Sequence, residues 1–152
     1  PSLWAVGSKL VEIGRLGQKT KAGIFTYAGR TAVPDEAVAK IAREEAVRLN
    51  VKQLKNVTDE EIIERLMYSM INEGALILEE EIAMRSSDID VVFVHGYGMP
   101  RYRGGPMRYG DTVGLAKVVQ AMEKYRVRYG DTYWTPAPLL AKLAASGGSF
   151  SD

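Results

Sequence analysis

The run from Thr58 to Leu78 admits one regular structure. Thr58-Asp59-Glu60-Glu61 has the spacing of a capping box, in which Thr58 and Glu61 satisfy each other's backbone donors. Behind it, Ile63, Leu66, Met67, Met70, Gly74, Ile77 and Leu78 recur every three or four residues, which predicts one broad apolar face on a long helix. Glu61 and Arg65, four apart, can pair on the other side. Gly74 inside the helix costs about 1 kcal/mol relative to alanine, so it is read as the site of a close helix crossing.

The rest of the chain carries the same period. Residues 3–13 form a short amphipathic helix with Leu3, Val6, Leu10 and Ile13 recurring, and Gly14 stops it. Gly17 to Tyr27 is a compact turn leading to a short extended piece, and residues 28–34 connect it onward. Pro34-Asp35-Glu36 opens a helix that turns Val38, Ile41, Ala42 and Leu49 inward. Asn50 to Val57 is a polar link. Ser86-Ser87-Asp88 is an N-cap cluster for a short apolar helix ended by Gly96, although its β-branched residues would also suit a buried strand. Asp111 or Thr112 caps a helix running to Tyr129, with Leu115, Val118, Val119, Met122 and Tyr125 inward and Gly130 closing it. Thr135 and Pro136 begin a last helix that Gly147 ends, and residues 148–152 read as a loose tail. The expectation is an all-α bundle with one short extended element near residue 25.

At 152 residues the chain can bury a core of its own, and a net charge of +1 gives no global pull toward nucleic acid or membrane. No apolar run is long enough for membrane insertion. The absence of cysteine excludes disulfides and thiolate chemistry, and with a single histidine a zinc site is not expected. The chain begins Pro1-Ser2-Leu3 without methionine and is expected to be a piece of a longer or processed protein.

One stretch stands apart: His95-Gly-Tyr-Gly-Met-Pro-Arg-Tyr-Arg-Gly-Gly-Pro-Met-Arg-Tyr-Gly-Asp111. Glycine and proline fix the backbone here, while tyrosine and arginine are the side chains most used to anchor a contact. It reads either as an ordered connector fixing how two helices meet or as a loop that meets a ligand or partner. Taken alone, the pattern favours the connector.

Familiar chemistry is mostly missing. Gly96-Tyr97-Gly98-Met99-Pro100-Arg101 lacks the third glycine of a dinucleotide turn and its flanking strand and helix. Gly17-Gln18-Lys19-Thr20 has no upstream glycine at P-loop spacing and reads as a surface turn, with a phosphate contact through Lys19 the lesser alternative. His95 sits at a helix end, where a cation suits the dipole, and no sequence neighbour orients it as a base. Asp88 and Asp90 read as helix-start acids, and Glu79 to Glu81 as a solvated face. Arg101, Arg103 and Arg108 make a local basic patch that could take a phosphate or an acidic partner.

The segment from Glu64 to Ala75, then Ile89-Asp90, then His95 through Leu115 resembles the C-terminal domain of 3-hydroxyacyl-CoA dehydrogenases. It is most similar to the second copy of that domain in bifunctional enoyl-CoA hydratase/3-hydroxyacyl-CoA dehydrogenases of fatty-acid β-oxidation. Residues 3–27 resemble the tail of the first copy, with Leu16 and Lys21 standing where an aromatic and a glycine are usual. The resemblance implies a helical bundle of the 6-phosphogluconate-dehydrogenase-like type. It implies residues 1–33 as tail and connector, 34–147 as the helical domain and 148–152 as a loose end.

For function, the resemblance implies a parent that oxidises 3-hydroxyacyl-CoA with NAD, its nucleotide site and acid–base pair lying upstream. Glu64 occupies the position of the family's catalytic asparagine, which implies that this copy holds no catalytic residue. No cofactor is expected in this chain, and the piece alone is expected to be inactive. It would scaffold and cover the substrate side of the active site. Substrate- or partner-facing candidates are His95, Tyr97, Arg101, Tyr102, Arg103, Lys19 and Thr20. Expected partners are the upstream Rossmann domain and first helical copy of the same parent, or a homodimer of the isolated piece, with no nucleic acid. The compartment would be the cytoplasm in a bacterium and the peroxisome in a eukaryote. The alternative is a stand-alone helical module binding acyl-CoA or another anion.

Overall fold

The computed structural model describes residues 4–51 and 54–151; Leu3 lies outside the described residues. Its elements run α1 (Ala5–Glu12), β1 (Thr26–Ala28), β2 (Thr31–Val33), α2 (Glu36–Arg48), α3 (Asp59–Glu79), α4 (Ser86–His95), α5 (Pro106–Val113), α6 (Leu115–Tyr129) and α7 (Pro138–Ser146). The fold is all-α apart from one small hairpin. It divides into two compact units, Pro1–Asn56 and Val57–Asp152. No helix among the described residues is long and apolar enough to cross a membrane.

In the first unit α1 packs on α2, burying Leu10 and Val38. Asp35 caps α2 by accepting from the Ala37 amide at 2.9 Å. The same carboxylate meets Arg15 Nη2 at 2.6 Å, and Arg15 Nε donates to the Gly23 carbonyl at 3.0 Å. The extended element is two strands, not one: β1 and β2 pair antiparallel with Tyr27 opposite Ala32. Residues 28–34, read as a connector, therefore hold a two-residue loop and a strand. Gly29 at φ +63° supplies the left-handed backbone that such a tight loop needs. Ile13, placed on the inward stripe of α1, lies beyond the helix and is exposed.

The second unit closes a dense core. Tyr68, Ile71 and Ala75 of α3 meet Leu115, Val118, Met122 and Tyr125 of α6, with Trp134, Ala137 and Leu140. This corrects the expected face of α3. Ile63 and Leu66, expected inward, are 47% and 62% exposed, whereas Ile71 is fully buried. Apolar residues ring much of this helix, so period alone leaves its rotation open. Packing chooses the stripe where Tyr68 and Asn72 also find partners. Asn72 donates through Nδ2 to the Thr135 carbonyl (3.0 Å) and accepts from the Ala137 amide (2.7 Å), tying α3 to the lead-in of α7.

The capping box is half formed. Thr58 Oγ1 accepts from the Glu61 amide at 3.1 Å, but the Glu61 carboxylate accepts instead from Tyr129 Oη at 2.6 Å and meets Arg128. Gly74 does mark a close crossing: a Cβ there would overlap the sulfur of the fully buried Met107 on α5. Residues 86–95 are helix rather than strand, with Arg85 rather than a serine at the N-cap. Asp111 caps nothing. It sits within α5 and accepts from the Phe150 amide (2.8 Å) and Ser151 Oγ (2.7 Å). Phe150 packs half-buried against the core and its carbonyl accepts from Ser86 Oγ at 3.0 Å, so the end expected to be loose is anchored through Ser151.

Candidate functional site

The glycine-rich stretch His95–Asp111 is a turn followed by a helix, not a connector throughout. The chain leaves α4 with the Gly96 amide donating to the Val92 carbonyl (2.7 Å) and the Met99 amide to the Phe93 carbonyl (3.0 Å). A 3-10 turn over Arg101–Arg103 follows, and α5 begins at Pro106. Proline as the first helical residue was the sequence signal for that start.

Asp90 is what fixes the turn. Its two carboxylate oxygens accept from the amides of Met107 (2.8 Å) and Arg108 (3.1 Å), capping α5 from α4. Asp90 is thus a helix-start acid, but of the next helix; Asp88 pairs with Arg85 at 2.9 Å. Burial pushes the Asp90 carboxyl above its usual range, against the two backbone donors that pull it down. Gly105, at φ +104°, lets the backbone approach: a Cβ there would overlap Asp90.

Two concavities flank α4. One is an apolar groove of about 650 Å³, lined by Ile77, Ile82, Met84, Val92, Phe93 and Tyr97 among others. Phe93 and Tyr97 pack ring to ring at 5.3 Å between centroids. The other, about 470 Å³, is polar and cationic, lined by Ser87, Asp90, His95, Arg101 and Arg108 among others. The three arginines expected to form one patch are separated. Arg101 and Arg108 line this concavity, whereas the Arg103 guanidinium lies 5.2 Å from the ring centres of both Tyr102 and Tyr109.

Glu64 sits between α3 and α6, accepting from the Tyr125 hydroxyl. Burial first, and then this carboxylate, push Tyr125 well above the usual phenol range and Tyr68 to about 12. One turn back, the hydrogen bond from Tyr129, and after it Arg128 and Arg65, hold Glu61 below the usual carboxylate range. The Arg65 guanidinium stacks 4.3 Å from the Tyr129 ring centre. A carboxylate in this tyrosine network ties two helices together.

Of the residues singled out from sequence, His95 and Arg101 share the cationic concavity and Tyr97 lines the apolar groove. Tyr102 is exposed beside Arg103. Lys19 and Thr20 belong to the first unit, where the Thr20 hydroxyl is taken up by its own turn, accepting from the Leu16 amide at 2.9 Å. Sequence reasoning missed the structural work of Asn72 and Asp90, because their partners lie 63 and 17 residues away.

Residues 62–149 match the family model described as 3-hydroxyacyl-CoA dehydrogenase, C-terminal domain. A peroxisomal bifunctional enzyme of Homo sapiens is 41% identical over 142 residues, covering 91% of this chain and 20% of the relative. That of Danio rerio is 41% identical over 138 residues, covering 88% of this chain and 19% of the relative. A fatty acid oxidation complex subunit alpha of Shewanella amazonensis is 36% identical over 150 residues, covering 96% and 20%. The chain thus spans about a fifth of the length of the curated relatives it matches.

Proposed function

Because the chain belongs to the 3-hydroxyacyl-CoA dehydrogenase C-terminal domain family, we propose that it is the C-terminal helical part of a bifunctional β-oxidation enzyme. In this reading the parent oxidises 3-hydroxyacyl-CoA with NAD and also hydrates enoyl-CoA. This part scaffolds and covers the substrate side of the dehydrogenase site. Residues 1–33 close the preceding helical copy, and residues 34–147 form the helical domain that docks on that copy. A bacterial parent would be cytoplasmic and a eukaryotic one peroxisomal.

The observation that carries the proposal is apolar surface left uncovered on a unit whose core is already closed. Met84 is 91% exposed at the rim of the groove beside α4, and Ile63 and Leu66 lie open on α3. Exposed apolar surface of this kind marks an interaction site. Hydride chemistry is assigned to upstream segments, because the described residues do not fit a nicotinamide nucleotide. The strands are an antiparallel hairpin, and the Gly96–Arg101 run leads from a helix into a 3-10 turn, so among the described residues no strand feeds a glycine-rich turn and a helix. Glu64, held by Tyr125, is a packing residue in this reading.

The test is oxidation of NADH by acetoacetyl-CoA. The chain alone should give no turnover above buffer. Upstream Rossmann and first helical domains, made separately, should gain activity when the chain is added, and should lose that gain with Leu66→Asp or Met84→Asp. Turnover by the chain alone, or indifference of the upstream domains to its addition, would overturn the proposal.

A further inference from the structure

We propose that the concavity between α4 and α5 is a binding site for a phosphate-bearing anion, held by Arg101 and Arg108 with His95 and Ser87 at its edge. Between His95 and Arg108 the chain carries three arginines and no acid, within a protein of net charge only +1. Two of those arginines are turned into one concavity of about 470 Å³. Neither makes an ion pair or side-chain hydrogen bond with any described residue, whereas Arg15, Arg43, Arg48, Arg85, Arg126 and Arg128 all pair with carboxylates. Arg103, the third, is turned onto two tyrosine rings.

The backbone that carries the cations is ordered, while both side chains are exposed. Gly104, at φ +78°, lets the backbone come so close to Arg108 that a Cβ would fall 2.7 Å from its Cγ. The turn bearing Arg101 is closed by the Arg103 amide donating to the Pro100 carbonyl at 2.9 Å. Among the described residues Asp90 is the one carboxylate lining the concavity, and both its oxygens accept from the amides that start α5. It hydrogen-bonds the α5 terminus and attracts Arg108 only through space, so neither guanidinium is hydrogen-bonded to a carboxylate. Planar guanidiniums match phosphate oxygens in pairs.

The site would accept a phosphate either free or carried on a nucleotide-bearing molecule such as coenzyme A; the second source rests on the proposed function. The experiment is amide-resolved NMR titration of the whole chain with inorganic phosphate and, separately, coenzyme A, at constant ionic strength. The expected result is saturable shifts at residues 87, 95, 101, 104 and 108 with a Kd of about 5 mM or tighter for at least one probe. R101Q and R108Q should each weaken binding about fivefold or more, with R103Q and R43Q within about twofold. Saturation by both probes points to the phosphate group alone, and saturation by coenzyme A only points to the nucleotide. No saturable shift with either probe, or equal weakening by R43Q, would overturn the proposal.

Discussion

The two compact units are made of similar amphipathic helices and end up with different interiors. In residues 57–151 five helices close a core in which Ile71, Met107, Val118, Met122, Tyr125 and Leu140 are fully buried. In the first unit two helices and a hairpin bury Leu10 and Val38, while Trp4, Val11 and Ile24 stay exposed. A pair of helices has too little inward surface to enclose a core, however well its residues alternate. The first unit is held instead by local polar devices, above all the Arg15–Asp35–Gly23 link. Hydrophobic period sets where a helix can bury a face; the number of neighbours decides whether it does.

The largest test of that contrast is Ile71→Ala. A fully buried side chain of the core cluster should cost about 3 kcal/mol, read as a lower urea midpoint for the second unit. Leu10→Ala in the first unit should leave that midpoint in place. If both moved it equally, the two units would be one cooperative body.

Asp90→Ala should cost about 2 kcal/mol, since it strips two amide donors at the start of α5 of their acceptor. Its pH signature has a defined sign. The folded carboxyl binds its proton more tightly than the unfolded one, whose value is 3.8. The Asp90 contribution is therefore largest below 3.8, falls as pH rises toward the folded value, and is constant above it. Asp90→Asn should remove that part of the slope in pH-resolved unfolding.

Gly74→Ala should cost about 1 kcal/mol net. Overpacking against Met107 costs about 2, and the better helix former returns about 1. Combined with Met107→Ala, the alanine at position 74 should become stabilising relative to Met107→Ala alone, a coupling readable in a double-mutant cycle. The smallest effect belongs to the first unit. Asp35→Ala should speed amide exchange at the start of α2 and near Gly23, without moving the midpoint of the second unit.

Much of the helix inventory was legible in the chain. Capping at Thr58, closing glycines at 130 and 147, and the inward set Leu115, Val118, Met122 and Tyr125 all stand as read, because capping and period are local. Two misreadings share one cause: the rotation of α3 about its axis and the role of Asp111 each depend on a partner far along the chain. The start of α5, by contrast, had a local signal in Pro106. Of the candidate site, the basic and aromatic character of residues 95–108 was visible. The sorting of its arginines, two into a concavity and one onto tyrosine rings, was not.

The sequence by itself determined that this protein is helical, where most of its helices stop, and, through the motif from His95 to Leu115, which family it belongs to. Helix ends are set by side chains within a few residues of the backbone groups they satisfy. Only the tertiary structure decided which stripe of α3 is core, that Asp90 rather than a local residue caps α5, and that Phe150 is anchored. Each of those choices turns on a partner supplied by another element, and a one-dimensional pattern carries no record of which elements come to lie side by side.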